Sequence, residues 1–177
     1  KAKKQLENLT KRNNSNKTTD SQLLQQASEA LNNKDYNKLF EILKPLADQG
    51  NSKAQFNLGV LYEKGEGIPQ NYQEARKWYR LSAEQGNSFA QTNLGLMYDR
   101  GMGVPQDFKK AVKWYRLAAN QGNPRAQYNL GLMYRDGHGV PQDNKEVVKW
   151  YRLAAEQGHV NGQVFLGNKY YKGKGVP

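Results

Sequence analysis

The stretch that decides the fold is 123–158, which reads NPRAQYNLGLMYRDGHGVPQDNKEVVKWYRLAAEQG. The stretch before it, 87–122, carries the same residue at 26 of the 36 positions. Agreement of this kind between neighbouring segments is the signature of an internal repeat. The same step of 36 residues relates Gly50, Gly86, Gly122 and Gly158; Trp78, Trp114 and Trp150; Pro69, Pro105, Pro141 and Pro177; and Tyr62, Tyr98, Tyr134 and Tyr170.

Each unit of the repeat predicts two helices joined by a loop. In 51–86, Ala54, Leu58 and Leu61 fall on one face of a first helix. Gly65 then occupies the usual place of a left-handed cap, and Pro69 prevents helix in the loop that follows. A second helix begins near Tyr72, and its inner face consists of Ala75, Trp78, Tyr79, Ser82 and Ala83.

One helical hairpin cannot bury its apolar face alone, whereas stacked hairpins bury it for each other. The period therefore predicts an all-α array, a superhelix with a concave and a convex surface. In the divergent first unit, Pro45 lies inside the second helix and predicts a kink. We expect a flexible basic arm, a divergent capping unit, three complete units and an incomplete last unit, at 1–20, 21–50, 51–86, 87–122, 123–158 and 159–177.

Three segments of the third unit, 126–134, 137–142 and 150–158, carry a recognisable motif. They closely resemble the Sel-one-like repeat (SLR) family, which is related to the tetratricopeptide repeats, and the resemblance extends over about 36–177. It implies a right-handed α/α superhelix that recruits other proteins. The motif residues of the family are structural, so the resemblance implies no catalytic residue and no cofactor.

The net charge of +11 favours an acidic partner protein, anionic lipid headgroups or nucleic acid. The excess lies in the arm, in 87–122 and in 159–177. No apolar run approaches the 18 residues of a spanning helix. The chain begins at Lys1 rather than Met, which indicates a removed signal peptide or tag. With the Lys- and Asn-rich arm, this favours a processed secreted protein or lipoprotein of the bacterial envelope, in the periplasm or outside; a cytoplasmic location stays open.

Several chemistries lack support in the sequence. The chain has no cysteine, which excludes disulfides and thiolate chemistry. His138 and His159 stand where other units carry Met102 and Asn123, so the histidines are not part of a repeated metal site. The Gly-x-Gly loops follow helices and lack the Walker lysine, so turn chemistry explains them better than phosphate binding. We therefore expect that the chain is not an enzyme and that it binds neither a metal nor a cofactor.

Positions at which the units differ are the candidates for partner binding. On the first helices, the direction away from the apolar face is occupied by variable side chains, and the helix starts vary too. Exposed aromatic residues and arginine are typical interface anchors. The alternative is drift or packing between units. The predicted concave binding residues are Phe56, Glu63, Phe89, Thr92, Asp99, Arg125, Tyr128 and Arg135.

A second candidate surface is a basic ladder on the convex side. In each second helix, a lysine and an arginine flank the Trp-Tyr pair and point away from the core. We interpret this ladder as a solvated face, with a partner-binding strip and nucleic acid as alternatives; inward-facing aromatic residues argue against nucleic acid. The ladder consists of Lys77, Arg80, Lys113, Arg116, Lys149 and Arg152.

The sequence therefore predicts a non-enzymatic scaffold that binds another protein through its concave groove. What the resemblance implies in more detail is an immunity protein that blocks a secreted toxin such as a phospholipase effector. The alternative is an adaptor or virulence factor that binds a host or envelope protein. A hydrolase with a site built across units is the remote third class.

Overall fold

A computed structural model describes residues 20–171, with side chains to residue 167. Nearly all of the predicted arm, 1–20, lies outside this range. Over the described residues the chain forms nine helices and no strand. The helices are α1 (20–32), α2 (Tyr36–Asp48), α3 (Ser52–Lys64), α4 (Tyr72–Glu84), α5 (Ser88–Arg100), α6 (Phe108–Asn120), α7 (Pro124–Asp136), α8 (Asn144–Glu156) and α9 (Val160–Tyr171).

Asparagine begins each complete first helix and glycine ends it. The side chain of Asn51 accepts a hydrogen bond from the backbone N–H of Ala54 and so satisfies one of the free donors at the helix start. At the other end, Gly65 has φ 72° and donates its N–H to the carbonyl of Leu61. The left-handed cap predicted at Gly65 is therefore confirmed. The equivalent positions are occupied by Asn87, Asn123, Gly101 and Gly137.

Each helix packs against the next along the chain, so the helices stack as an α/α solenoid. The odd-numbered helices are the first helices of the units, and the even-numbered helices are the second. The divergent capping unit, 21–50, also consists of two helices, α1 and α2. Leu39, Leu43 and Leu46 of α2 are buried, and α2 continues through Pro45. No helix in the described part is long and apolar enough to cross a membrane.

Buried glutamines tie each unit to its neighbours. Gln91 donates from Nε2 to the carbonyl of Ala83 at 3.0 Å. Gln121 in turn donates from Nε2 to the Oε1 of Gln91 at 2.8 Å. These bonds satisfy a polar side chain that is only 4% exposed, and they explain why glutamine follows alanine in each motif. Gln55 with Gln85 and Gln127 with Gln157 repeat the arrangement.

A glycine in each first helix lets the tyrosine of the second helix approach. Tyr115 is fully buried, and a Cβ built on Gly95 would lie 2.7 Å from the Cδ1 of its ring. Contact this close excludes any larger residue unless the ring shifts. Gly59 and Gly131 face Tyr79 and Tyr151 in the same way.

Gly95→Ala is expected to lower the free energy of unfolding by about 1–3 kcal/mol, because the new methyl group overpacks the Tyr115 ring. The chain supplies a matched control at Gly167, the same repeat position in the last unit, where a Cβ meets nothing within 4 Å. Gly167→Ala is expected to be neutral or stabilising by up to about 1 kcal/mol, because alanine is the better helix former. Urea unfolding followed by circular dichroism measures both, and equal effects would contradict the packing argument.

Candidate protein-binding groove

The first helices line one continuous groove. Its first section, between α1 and α3, has a cavity volume of about 490 Å³. Its second section spans α3, α5 and the start of α7, with a volume of about 560 Å³. The two sections share Phe56, Val60 and Lys64, so they meet on α3. Apolar contacts in the first section also come from Leu24, Ala27, Leu31, Leu39 and Leu61.

Two phenylalanines form the apolar centre of this groove. The rings of Phe56 and Phe89 lie 6.1 Å apart between centroids, and Phe56 also packs on buried Tyr79 at 5.9 Å. Phe89 is 63% exposed, so its ring is available to a partner. The sequence singled out both residues, and the structure places them together.

Thr92 contributes differently from the sequence-based expectation. It is only 2% exposed, and its hydroxyl donates to the carbonyl of Ser88 at 2.7 Å. Thr92 therefore lies at the floor of the groove, and the expectation that it presents a side chain to a partner is corrected. Phe89 and Arg125, which line the same section of the groove, have much longer side chains.

The groove carries positive charge around its apolar centre. Lys53 and Lys64 line the first section, and Arg125 lines the second, where its Nη1 lies 3.5 Å from the Oδ1 of Asn93. Glu66 lies 3.5 Å from the ammonium of Lys64 but is itself partly buried. The arrangement presents exposed cations beside exposed aromatic surface.

The predicted acidic residues of the first two units face buried tyrosines. Tyr79 donates its hydroxyl to Oε2 of Glu63 at 2.5 Å, and Tyr115 lies 3.4 Å from Oδ2 of Asp99. Burial, then the facing carboxylates, raise the pKa of Tyr79 and of Tyr115 far above the usual value. Burial also raises the pKa of Asp99. Each tyrosine thus remains a neutral donor that fixes its carboxylate.

The third unit replaces this pair by an aromatic cluster. Tyr128 stacks on Tyr151 at 5.1 Å and on His159 at 4.7 Å between ring centroids. Arg135, at the position of Glu63 and Asp99, instead forms a bidentate ion pair with Asp136, at 2.7 and 2.9 Å. Burial, then the nearby Arg125, lower the pKa of His159.

The basic ladder lies on the exposed face of the second helices, as predicted. Most of its members have partners within the chain: Lys77 pairs with Glu74, Arg80 with Glu84 and Lys149 with Glu146; Arg116 donates to the hydroxyl of Tyr134, and Lys113 lies over the ring of Trp114. Trp78 and Trp150 are 4% and 6% exposed. Since stacking on bases needs exposed rings, these tryptophans offer no platform for nucleic acid.

Some groove residues escaped the sequence reasoning. Val60, Lys64 and Asn93 line the groove beside the predicted residues. Val60 and Lys64 follow Phe56 at i+4 and i+8, so helical spacing alone could have found them. Leu24 and Leu31 of α1 also line the groove, and Leu31 is 50% exposed.

Among the residues described, no group of three or more histidine and acidic side chains is placed to hold a metal ion. His138 stacks on Phe108 of the preceding unit at 4.3 Å, which is a packing role. The histidines are thus accounted for by contacts with aromatic rings.

The Sel1 repeat model matches four segments of the chain, 52–87, 88–123, 124–159 and 160–177. Each complete match begins one residue after a unit boundary predicted from the sequence. The matched segments cover well over half of the sequence and include every complete unit of the solenoid. The loops, caps and buried tyrosines described above recur within them.

Two bacterial structures are similar to the chain. One is c5321, a protective antigen present in uropathogenic Escherichia coli strains that displays an SLR fold; it has a TM-score of 0.75 and 42% identity, over 79% of this chain and 30% of that one. The other is a Sel1 repeat protein from Oxalobacter formigenes, with a TM-score of 0.80 and 38% identity, over 87% of this chain and 61% of that one.

The chitin synthase regulator SKT5 of Saccharomyces cerevisiae is 44% identical over 50 residues, which are 28% of this chain and 7% of the yeast protein. The chain thus spans only part of each of these three relatives. The two bacterial structures share with it both sequence and the stacked helices. The chain therefore belongs to the Sel1 repeat family.

Proposed function

We propose that this chain is a scaffold that binds its partner in the groove of the first helices. The observation that carries the proposal is the Phe56–Phe89 pair: Phe56 lines both sections of the groove, and Phe89, which is 63% exposed, lines the second. Aromatic anchors in a central pocket are the usual source of binding energy at an interface.

The charges around the groove specify the kind of partner. Three cations, Lys53, Lys64 and Arg125, line the groove against the two carboxylates of Glu63 and Glu66, and the whole chain carries +11. A partner surface with apolar side chains inside an acidic rim is complementary to this arrangement. Such complementarity increases the association rate and excludes basic competitors.

In its sharper form, the proposal is an immunity protein of the bacterial envelope that covers the active site of an acidic secreted toxin, such as a phospholipase. Support comes from the surplus of cations over carboxylates along the groove, which is complementary to an acidic surface. The alternative is an adaptor for a host or envelope protein. Co-expression with the candidate toxin separates the two, because only an immunity protein restores growth of the poisoned cell.

Phe89→Ala is expected to weaken binding of the partner by about tenfold or more, because the variant removes a central aromatic anchor. The partner is first captured by affinity pull-down and identified by mass spectrometry, and its affinity is then measured by titration calorimetry. The matched control is Leu117→Ala, since Leu117 is also exposed, at 42%, but lies on the second-helix side. Equal affinity of Phe89→Ala and the parent chain, or a larger loss at Leu117, would sink the groove proposal.

A further inference from the structure

The third unit reverses a charge that the first two units use internally. Glu63 and Asp99 each face the buried tyrosine hydroxyl sixteen positions later in the chain. At the corresponding position the third unit carries Arg135, and its buried tyrosine is Tyr151. The acceptor that serves the hydroxyl in the other units is therefore missing from this one.

The hydroxyl of Tyr151 has no hydrogen-bond partner within the described part of the chain, although the residue is only 1% exposed. A buried donor without an acceptor costs about 1–3 kcal/mol, and native proteins rarely leave one. Burial raises the pKa of Tyr151 well above its usual value, and the opposing effect of the nearby Arg135 is smaller. The hydroxyl consequently keeps its proton and can only gain by finding an acceptor.

Beside this hydroxyl, the Arg135 guanidinium retains donors of its own. The ion pair with Asp136 uses Nε and Nη2, whereas the guanidinium has five N–H groups. The side chain of Arg135 is 49% exposed, at the repeat position at which Glu63 lines the second section of the groove. Tyr128 and His159 supply stacked ring surface on the same side.

We propose that the groove of the third unit binds a carboxylate of the partner, held between the Tyr151 hydroxyl and the Arg135 guanidinium. The partner thereby supplies the group that Glu63 and Asp99 supply within the chain. The first two units hold a carboxylate at this repeat position beside an equally buried tyrosine, whereas in the third unit the Tyr151 ring packs on Phe165 at 4.3 Å between centroids, so a bound carboxylate would approach from the Arg135 side. The inference rests on the proposed function, since it names the chemistry that one section of the same groove recognises.

The carboxylate can come from an acidic side chain or from a chain terminus, and three synthetic peptides distinguish these sources. The first is acetyl-Leu-Glu-Leu-amide, the second replaces its glutamate by glutamine, and the third is the glutamine peptide with a free carboxyl terminus. In NMR titrations, a side-chain site shifts the Tyr151 ring and Arg135 Nε–H signals with the first peptide, and a terminal site with the third. Equal response to all three peptides, or none at these signals, would overturn the proposal.

Variants of the free protein test the same inference without a ligand. Tyr79→Phe loses a hydrogen bond to Glu63, and its Tm is expected to fall by about 3–6 °C. Tyr151→Phe loses no hydrogen bond and is expected to leave Tm unchanged or higher. A Tm loss at Tyr151 as large as at Tyr79 would show that the hydroxyl is already satisfied within the chain.

Arg135→Glu recreates the pair of the first two units. Its own carboxylate can accept from the Tyr151 hydroxyl, so Tm is expected to rise by about 2–4 °C, while the response to the carboxylate peptide is lost. Lys145→Glu is the charge-matched control, because Lys145 is exposed at the start of α8. An equal loss of binding in both variants would indicate general electrostatics and contradict a built site.

The outcomes separate this inference from the groove proposal. If Phe89→Ala loses partner binding while Tyr151→Phe and Arg135→Glu bind fully, the carboxylate site is rejected. The scaffold function is then still supported. Retained partner binding in Phe89→Ala rejects the groove centre, whatever the third unit does. A partner affinity lowered about tenfold or more by Arg135→Glu supports the site.

Discussion

Gly139→Ala is expected to lower the free energy of unfolding by about 2–5 kcal/mol, the larger part of it from backbone contact. Gly139 is the second glycine of its Gly-x-Gly loop and has φ 72°. A Cβ there would lie 2.5 Å from the carbonyl oxygen of Phe108, in the first turn of the preceding unit's second helix. The atoms that this Cβ would meet, in Phe108 and Lys109, all belong to the backbone. No side-chain rotation can therefore relieve the clash.

Gly86→Ala is the matched control for this prediction. Gly86 has φ 90°, yet a Cβ there meets nothing within 4 Å. Only the left-handed strain of an alanine remains, about 1–2 kcal/mol. Urea unfolding of the two variants therefore separates strain from clash. Equal losses would mean that the loop of 137–142 moves aside and does not hold the units in register.

The Gly-x-Gly loops show how far local sequence signals reach. Their glycines predicted a left-handed cap and a turn, and the structure confirms both, because φ is a property of the residue and its neighbours. The contact of Gly139 with Phe108 joins residues of different units. This contact depends on how far one hairpin is shifted along the next. The 36-residue period shows that the units repeat, but it does not give the size of that shift.

The candidate site divides in the same way. Variability between units pointed to Phe56 and Phe89, and the structure brings their rings together. The same criterion also selected Thr92, which is buried, because helical spacing gives the direction of a side chain but not its depth. The orphaned hydroxyl of Tyr151 was beyond sequence reasoning, since Trp-Tyr stands in every complete unit and only the facing residue differs.

Tyr115→Ala is expected to cost about 3–5 kcal/mol, the range for deleting a large buried aromatic side chain. Tyr115 is completely buried, with a relative exposure of 0%. Its ring contacts Gly95, which lies inside helix α5. The helix that carries it, α6, packs on α5 within its unit and on α7 of the next. The cavity therefore weakens both an intra-unit and an inter-unit interface.

The position of Tyr115 in the array gives the variant a second signature. Solenoid stability is approximately a sum of unit and nearest-neighbour interface energies, so a weakened central unit uncouples the two ends. We expect Tyr115→Ala to unfold in urea with a lower midpoint and a broader transition. Tyr115→Phe keeps the ring, loses only a long contact to Asp99 at 3.4 Å, and is expected to cost about 1 kcal/mol or less. The view that the buried tyrosines hold successive units together would be contradicted by two results in Tyr115→Ala. These are a loss of unfolding free energy below about 1 kcal/mol and a urea transition as steep as that of the parent chain.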